Sequence, residues 1–292
     1  MDVSIIIVNY NTCKMTSECI DSIFKYTKYL NFEVILIDNA SQDDSKTVFE
    51  NYNNITYIYN EKNIGFGCAN NIGATKALGN YLLFLNSDTL LFQNIIKDMF
   101  DFANDNQHLN IGGIGSVLED ANGEYSESFG QFLSIKSIIN NFLKRFVPEK
   151  SYLSQKNNHL TQKSYSFVDY IIGADLFVPT SLFKQLRGFD SDYFMFYEEE
   201  DLQKRMDYLC KNRVIINKNG IKHFESKSFE NKVSFKRGML MKKSCYIYIQ
   251  KHFNNLEYIL IHILQFLVRI KYIILGYRHF SLGQKIKFLC NK

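Results

Sequence analysis

Residues 4–11 read SIIIVNYN and residues 33–41 read EVILIDNAS. Each is an uninterrupted apolar run that stops on asparagine or aspartate. Strands covered on both faces, as in a largely parallel sheet, carry continuous rather than alternating apolar residues. Between the two runs, Thr16–Leu30 has helical periodicity, with Ile20, Ile23, Phe24 and Leu30 on one side, which completes a β-α-β unit. The pattern continues with a helix near Asp44–Asn53, a strand near Ile55–Tyr59, a helix over Ala69–Leu78 and a buried strand at Tyr81–Leu85. That strand again ends on polar residues, Asn86-Ser87-Asp88. Ligands of open α/β sheets sit beyond the carboxyl ends of the strands. Asn9-Tyr10-Asn11, Asp38-Asn39 and Asn86-Ser87-Asp88 are therefore expected to border one crevice, and the fold class is α/β.

Downstream the signal is less regular. Residues 119–166 carry Asn, Ser and Lys-rich stretches around a helical piece at Ile135–Val147, read as an insertion near a second substrate. Phe167–Pro179 reads as a strand interrupted by Gly173, where a backbone or ligand can approach closely. Glu199–Asn212 reads as a helix with acidic residues in its first turn, which suits the helix dipole. Val214–Ile216 reads as a last short strand, with His223 in the loop after it. From about Ser234 the chain reads as helical to its end.

Composition narrows the class. At 292 residues, 46% apolar and 22% charged, with 2 Pro and 15 Gly, the chain is neither disordered nor of low complexity. Six cysteines lie far apart with no C-x-x-C pair, which excludes zinc ribbons and disulfide frameworks and points to a reducing compartment. The first residues enter a strand without a basic leader, so a cytoplasmic protein is expected. The net charge of +4 hides a division: residues 1–201 hold 15 basic and 26 acidic side chains, residues 202–292 hold 19 and 4. In Tyr258–Gly276, Tyr258, His262, Gln265, Arg269, Tyr272 and Gly276 share one helical face, and the rest is almost all apolar. Such a basic amphipathic helix suits an anionic membrane interface; packing against the catalytic domain or a second subunit is the alternative. The basic residues do not form a groove-reading helix, so no nucleic acid partner is expected.

Four groups of residues can carry chemistry, each with a plainer alternative. Asp38 can accept from a base or ribose, or can cap a turn. Asp88 beside Asn86 can hold a hard divalent cation together with diphosphate oxygens and water, or belong to the cap of the helix at Asn94–Ala103. The carboxylates Glu198-Glu199-Glu200-Asp201 follow the aromatic run Tyr193–Tyr197. At about 100° per residue they fan out, so one or two face the crevice. Apolar walls there raise the proton affinity of a carboxylate, as a general base requires; a solvated helix start is the alternative. His223 is a ligand or an ordinary surface or core histidine. No phosphate-binding G-x-x-x-x-G-K-[ST] loop and no G-x-S-x-G elbow occur, and Gly65-Phe66-Gly67 has Asn70 where a dinucleotide fingerprint needs glycine.

Taken together, seven segments in order resemble family 2 of the inverting glycosyltransferases, of GT-A fold, and most closely its rhamnosyltransferase-like branch. They are Ser4–Asn11, Ile37–Ser41 with Asp44, Asn63–Gly73, Leu85–Asp88, Gly173-Ala174, Gly188–Asp190 and Phe196–Leu202, and the resemblance covers about residues 3–225. It implies a GT-A domain with a C-terminal helical amphipathic extension: a nucleotide-sugar-binding half at 1–118, an acceptor and catalytic half at 119–232, and a basic tail at 233–292. It assigns nucleotide-sugar contacts to Asn9, Asn11, Asp38, Asn63, Gly65, Asn70, Asn86 and Ser87. Asp88 and His223 become ligands of Mg²⁺ or Mn²⁺, Glu199 the catalytic base, and Glu198, Asp201, Asp190 and Gly173 supporting or acceptor-side residues. The sequence departs from the family pattern in having Asn86 as the first member of D-x-D and Glu rather than Asp as the base.

The implied activity is inverting transfer from a nucleoside-diphosphate sugar, dTDP-rhamnose or a UDP-hexose, to a hydroxyl of a lipid-linked glycan in surface polysaccharide assembly. It would take place at the inner face of the cell membrane, with a homo-oligomer through the C-terminal helices as a further expectation. The processive synthases of the family carry Q-x-x-R-W, and this chain has no Trp. A nucleotidyltransferase would need a glycine-rich basic loop where Asn11-Thr12-Cys13 stands, and a non-catalytic nucleotide-sugar-binding assembly subunit is the non-enzymatic alternative.

Overall fold

The apolar runs become the inner strands of one sheet. The computed structural model describes residues 1–144, 164–224 and 235–275. The chain divides into two compact units, Met1–Phe132 with Asn157–Cys245, and Leu133–Lys156 with Tyr246–Lys292.

In the first unit, β1 (Val3–Asn9), β2 (Phe32–Asp38), β3 (Thr56–Tyr59) and β4 (Tyr81–Asn86) lie parallel in the order β3-β2-β1-β4. Parallel neighbours need crossovers, supplied by α1 (Cys13–Tyr26), α2 (Ser45–Phe49) and α3 (Phe66–Lys76). Every residue of β1 is buried, because side chains alternate between two apolar layers. Ile5, Ile7, Leu83 and Leu85 pack with Cys19, Ile20 and Ile23 of α1 and with α4 (Ile95–Asp105). Ile6, Val8 and Phe84 pack on the other face with Ala69 of α3 and with Leu182, Leu202 and Met206 of later helices. Each such side chain contributes roughly 1.5–3 kcal/mol by leaving water.

The sheet continues through β10 (Asp175–Pro179), antiparallel to β4, then β6 (Ile111–Glu119), β11 (Asn212–His223) and β5 (Thr89–Leu91), while β8 (Tyr165–Val168) pairs with β11. A small second sheet joins β7 (Phe129–Gly130) to β9 (Tyr170–Ile171). Helices α6 (Thr180–Gln185) and α7 (Glu198–Tyr208) cover the face of Ile6. Phe84, Phe183 and Phe189 meet there with ring centroids 4.9–5.4 Å apart.

Three local readings change. Val214–Ile216 lies in the first half of a 12-residue strand, and His223 is its last residue rather than part of a loop; polar Asn217–Asn219 and register shifts on either side of Asn219 interrupt its apolar pattern. Phe167–Pro179 is not one strand but β8, β9 and β10, each with a different partner. The glycine-rich β6 carries no apolar run, yet Gly112–Leu118 is buried. A side-chain carbon on Gly115 would lie 2.5 Å from Ile171.

The second unit contains α5 (Ile135–Lys144), part of α8 (Phe235–His252) and α9 (Asn255–Leu275). The expected continuous terminal helix is broken before Asn255. There Asn254 accepts from the Glu257 N–H at 3.0 Å while Glu257 accepts from the Asn254 N–H at 3.0 Å, a reciprocal cap that starts a new helix. The ends of the expected helices at 145–147 and 276–292 lie outside the described residues. Among the described residues no helix is long and apolar enough to cross a membrane.

Candidate active site

The register of the parallel strands sets the site. Asn9 lies opposite Asp38, and Val8 opposite Asn86, so three polar strand ends come out on one edge. The first two are tied down by side chains. Asn9 donates to Ser41 Oγ at 3.0 Å and accepts from Thr12 and Thr16 hydroxyls, each at 2.8 Å. Asp38, fully buried, accepts the Ser41 N–H at 2.8 Å and the Tyr57 hydroxyl at 3.1 Å. Asn11, at φ +56°, accepts from the Gln42 N–H at 2.6 Å. These residues build the walls of the loops after β1 and β2.

The next wall runs through residues 60–66. Asn39 donates to Asn63 Oδ1 at 2.9 Å and accepts from Asn60 and from the Ile64 N–H, both at 3.1 Å. Asn63 also accepts the Gly65 N–H at 3.0 Å. Gly65 has φ +89°, and a Cβ there would stand 2.3 Å from the Phe194 carbonyl oxygen, which accepts the Phe66 N–H at 2.9 Å. This contact fastens the loop of residues 60–66 to the aromatic segment before α7. Asn70 uses its amide on the Phe66 carbonyl of its own helix and is buried. Asn71 pairs both ways with the Phe189 backbone, at 2.7 and 2.9 Å. At Gly188 (φ +71°) a side chain would strike that amide.

Asn86, Asp88 and His223 form the next cluster. His223 Nε2 is 3.3 Å from Asp88 Oδ1 and 3.4 Å from Asn86 Nδ2, and the Phe224 N–H donates to the Asp88 carbonyl at 3.0 Å. Ser87 Oγ is 3.2 Å from Thr12 Oγ1, which joins this cluster to the end of β1. Among the described residues no three His, Cys, Asp or Glu side chains converge as a metal cage. One carboxylate and one imidazole do suit a cation whose remaining ligands are diphosphate oxygens and water. Asp88 also lines a cavity of about 400 Å³ with Lys14, Met15, Glu18, Thr89, Leu90 and Phe224, on the α1 side of the sheet. Nearby Asp175 is buried, with burial pushing its carboxyl up to about 7 against the lowering effect of Ser116 and His223.

Glu198–Asp201 open α7. Phe196 and Tyr197, at φ +71° and +68°, turn the chain sharply into the helix. Two such non-glycine residues in sequence store strain that the surroundings must hold. Arg237 lies over the Phe196 ring at 5.5 Å, and Ser244 donates to the Met195 carbonyl at 2.7 Å. Glu198 is buried against Gly67, and its Oε2 has no hydrogen-bond partner among the described residues. Burial, and then the adjacent Glu199, hold its carboxyl well above the usual range. Glu199 is half-buried and likewise raised by burial, partly offset by N–H groups that include that of Gly173. Asp201 instead sits in an ion pair with Arg205 at 2.7 Å, and Arg205 donates onward to the Leu186 and Gly188 carbonyls at 2.6 and 3.0 Å. Asp190 accepts the Asp192 N–H at 3.0 Å.

Gly173-Ala174-Asp175 connects the two chemical groups. Gly173 lies against Glu199, and the Ala174 carbonyl accepts the Asn86 N–H at 3.1 Å. Two residues of extended chain span about 7 Å, so the segments that carry Glu199 and Asn86 meet along one short stretch of backbone. The sequence pattern does not single out Gln203. Its side chain, however, makes both backbone hydrogen bonds of Ile171, at 2.8 and 2.7 Å, and so holds the strand before Gly173 against α7. A lone Gln inside a charged helix carries no sequence signal for this. Thr12, Asn39 and Ser41 could have been found from their adjacency to the strand ends.

Comparison with known proteins gives concordant results. The family described as glycosyl transferase family 2 matches residues 4–160. The chain is 31% identical over 102 residues to the glycosyltransferase GlyG of Streptococcus pneumoniae, covering 34% of each protein. It is 31% identical over 113 residues to a poly(ribitol-phosphate) beta-glucosyltransferase of Bacillus spizizenii, covering 37% of this chain and 18% of that one. The chain thus spans about a third or less of the length of these two relatives. The fold is similar to that of S. aureus TarS crystallised with UDP-GlcNAc: TM-score 0.57 at 17% identity, over 99% of this chain and 82% of that one. It also resembles GalNAc-T7 solved with UDP, GalNAc and Mn²⁺: TM-score 0.55 at 16% identity, over 77% and 44%. These structures carry the GT-A fold.

Proposed function

We propose that this chain, which belongs to glycosyl transferase family 2, moves a sugar from a nucleoside-diphosphate donor to a glycan hydroxyl with inversion at the anomeric carbon. One observation carries the reading: a raised, half-buried Glu199 lies against Gly173, whose neighbour Ala174 is bonded to Asn86 of the Asn86-Ser87-Asp88 turn. A base and a diphosphate-side cluster on one rim are what a direct displacement needs, with the base on the acceptor side and the leaving group on the other.

Glu199 takes the proton of the acceptor hydroxyl as that oxygen bonds to the anomeric carbon. The bond from this carbon to the diphosphate oxygen breaks, and its electron pair leaves with the nucleoside diphosphate. The proton passes from Glu199 to solvent after turnover. The raised proton affinity of Glu199 makes it a stronger base once ionised. Asp88 and His223 are the residues that would hold Mg²⁺ or Mn²⁺; when bound, such a cation neutralises charge on the diphosphate. Asn9, Asn11, Asp38, Asn63 and Gly65 shape the nucleotide wall, with Asn86 and Ser87 at its phosphate end. The UDP and UDP-GlcNAc bound by structural neighbours support a nucleotide-sugar donor, a UDP-hexose before dTDP-rhamnose.

The acceptor we favour is a lipid-linked glycan at the inner face of the membrane. Support comes from α9, where Leu256, Ile259, Leu260, Ile263, Phe266 and Leu267 are exposed at helical spacing, and from the 19 basic against 4 acidic residues of 202–292. The full chain is then expected to float with vesicles containing anionic lipid, and a chain ending at Asn254 is not. Dimerisation through α9 without flotation would transfer the face to a second copy.

The deciding measurement is nucleoside diphosphate release from UDP-hexoses and dTDP-rhamnose with Mn²⁺, with and without glycan-lipid acceptors. Release that rises with acceptor supports the transferase. Donor binding without such release would make the protein a non-catalytic assembly subunit.

A further inference from the structure

Gln203 stands one turn after Glu199 on α7, so both side chains leave the same face of the helix. It has no solvent exposure, and its amide makes three hydrogen bonds. Oε1 accepts the Ile171 N–H at 2.8 Å, while Nε2 donates to the Ile171 carbonyl at 2.7 Å and to the Glu199 carbonyl at 3.0 Å. Turned over, the group would set its NH₂ against an N–H and its oxygen against two carbonyls, so one orientation alone fits. Among the described residues β9 has a strand neighbour on one edge only. There Ile171 lies opposite Phe129, and the next N–H, that of Ile172, donates to the Ser128 carbonyl at 3.2 Å. On the other edge Gln203 takes the place of a strand, supplying the partners that buried backbone groups need.

These bonds close a circuit. It runs from the Glu199 carbonyl through the Gln203 amide to Ile171, along the chain to Gly173, and back to the Glu199 side chain. Glu199 Cγ and Cδ each lie 3.8 Å from the place a Cβ on Gly173 would take, and Phe66 stands at the same distance. The Gly173 N–H is one of the groups that favour the ionised carboxylate. Main chain fastened by Gln203 therefore carries Glu199 at one end and the surface it rests on at the other.

We propose that Gln203 is a positioning residue for the transfer: by locking Ile171 to the Glu199 carbonyl, it holds the Glu199 carboxylate against Gly173 in the orientation that receives the acceptor proton. Shut off from solvent, it acts through Glu199 and not on a substrate. A reacting group displaced by about 1 Å can lose roughly 10²-fold in rate, so a clamp of this kind matters to turnover beyond what it adds to the fold. This rests on the reading of Glu199 as the base.

The test uses the full chain and two variants. Gln203→Met keeps the length of the side chain and removes the amide; Gln203→Asn keeps the amide and brings it one methylene short, and it decides the matter if the Met variant does not fold. The first readout needs no substrate: nuclear magnetic resonance of protein labelled with ¹³C-glutamate, in which Glu199 is the signal lost in Glu199→Gln. Its titration midpoint is expected to move up in both variants, because the Gly173 N–H that lowers it is displaced. Glu198 and Tyr170, the titratable neighbours of Glu199, are the same in all these proteins. The second readout is turnover with the donor and glycan-lipid acceptor that the release assay selects: kcat is expected to fall by about 10²-fold, with donor affinity within about twofold. A folded variant with an unmoved midpoint and wild-type kcat overturns the proposal. So does an equal loss of donor affinity and kcat at an unmoved midpoint, the mark of a residue that serves the fold alone. A midpoint that follows Gln203 in protein whose Glu199→Gln variant turns over normally upholds the clamp on Glu199 and refutes the base reading.

Discussion

Beyond the ends of β1 and β2, Asn9, Thr12, Thr16, Asp38 and Ser41 answer one another donor for acceptor. At the start of α7, by contrast, Glu198 has an oxygen with no donor among the described residues, and Glu199 is met by backbone N–H groups and carbon. The first region uses polar side chains to hold a shape. The second withholds polar partners to hold protons. A loop that must present the same contour to every donor gains from hydrogen bonds that leave no rotamer choice. A base gains from poor solvation, which moves its ionisation toward working pH. One crevice can therefore be stiff at one end and electrostatically tense at the other, and substitutions at the two ends should fail in different ways.

The sharpest break is Glu199→Gln, which removes the proton acceptor and keeps the shape. We expect kcat to fall by about 10³-fold while donor affinity, measured by calorimetry, stays within about twofold. Turnover near the wild-type rate would end the assignment. Next comes Gly65→Ala, at the joint between the two regions. Its φ of +89° and the Phe194 oxygen 2.3 Å from the new Cβ predict a loss of about 1–3 kcal/mol in thermal unfolding, with weaker donor binding rather than a lower kcat. A loss of kcat alone would mean that the joint serves the base and not the donor loop. The smallest effect concerns pH. As the proposed base Glu199 acts ionised, and its carboxyl is raised, so kcat/KM should be high above that raised value and fall as pH drops through it, higher than for an ordinary carboxylate. Glu198 is held well above the usual carboxylate range by burial and by Glu199, so Glu198→Gln, which mimics its neutral form, should barely move that limb. A marked downward move would show the two acids ionising against each other.

Much of this arrangement was legible in the chain. Apolar runs that stop on Asn9, Asp38 and Asn86 fix a parallel order because both faces of such strands must be covered, and the strand ends then fall together by register. What escaped had no periodic signal. Strand β6 hides behind glycines that exist to admit Ile171. His223 reads as a loop residue because Asn217–Asn219 interrupt the apolar pattern, although the backbone ladder continues to its pairing with Thr89. Asp175 is one polar letter in an apolar word, and its partner Ser116 lies 59 residues away, so its meaning comes only from three-dimensional neighbours. Glu199 was reachable from composition as a carboxylate beside aromatics. Which of four adjacent acids turned to Gly173 was not, since that depends on the left-handed turn at Phe196 and Tyr197.

That turn also decides how the protein can be shortened. The residues that brace it, Arg237 and Ser244, belong to α8, which by sequence alone looks like the beginning of a dispensable appendage. A boundary drawn ahead of Ser244 would remove the brace and let the acidic helix start relax, so that an inactive fragment would say nothing about the role of the remaining tail. A boundary at Asn254 leaves both braces in place and gives a clean dissection.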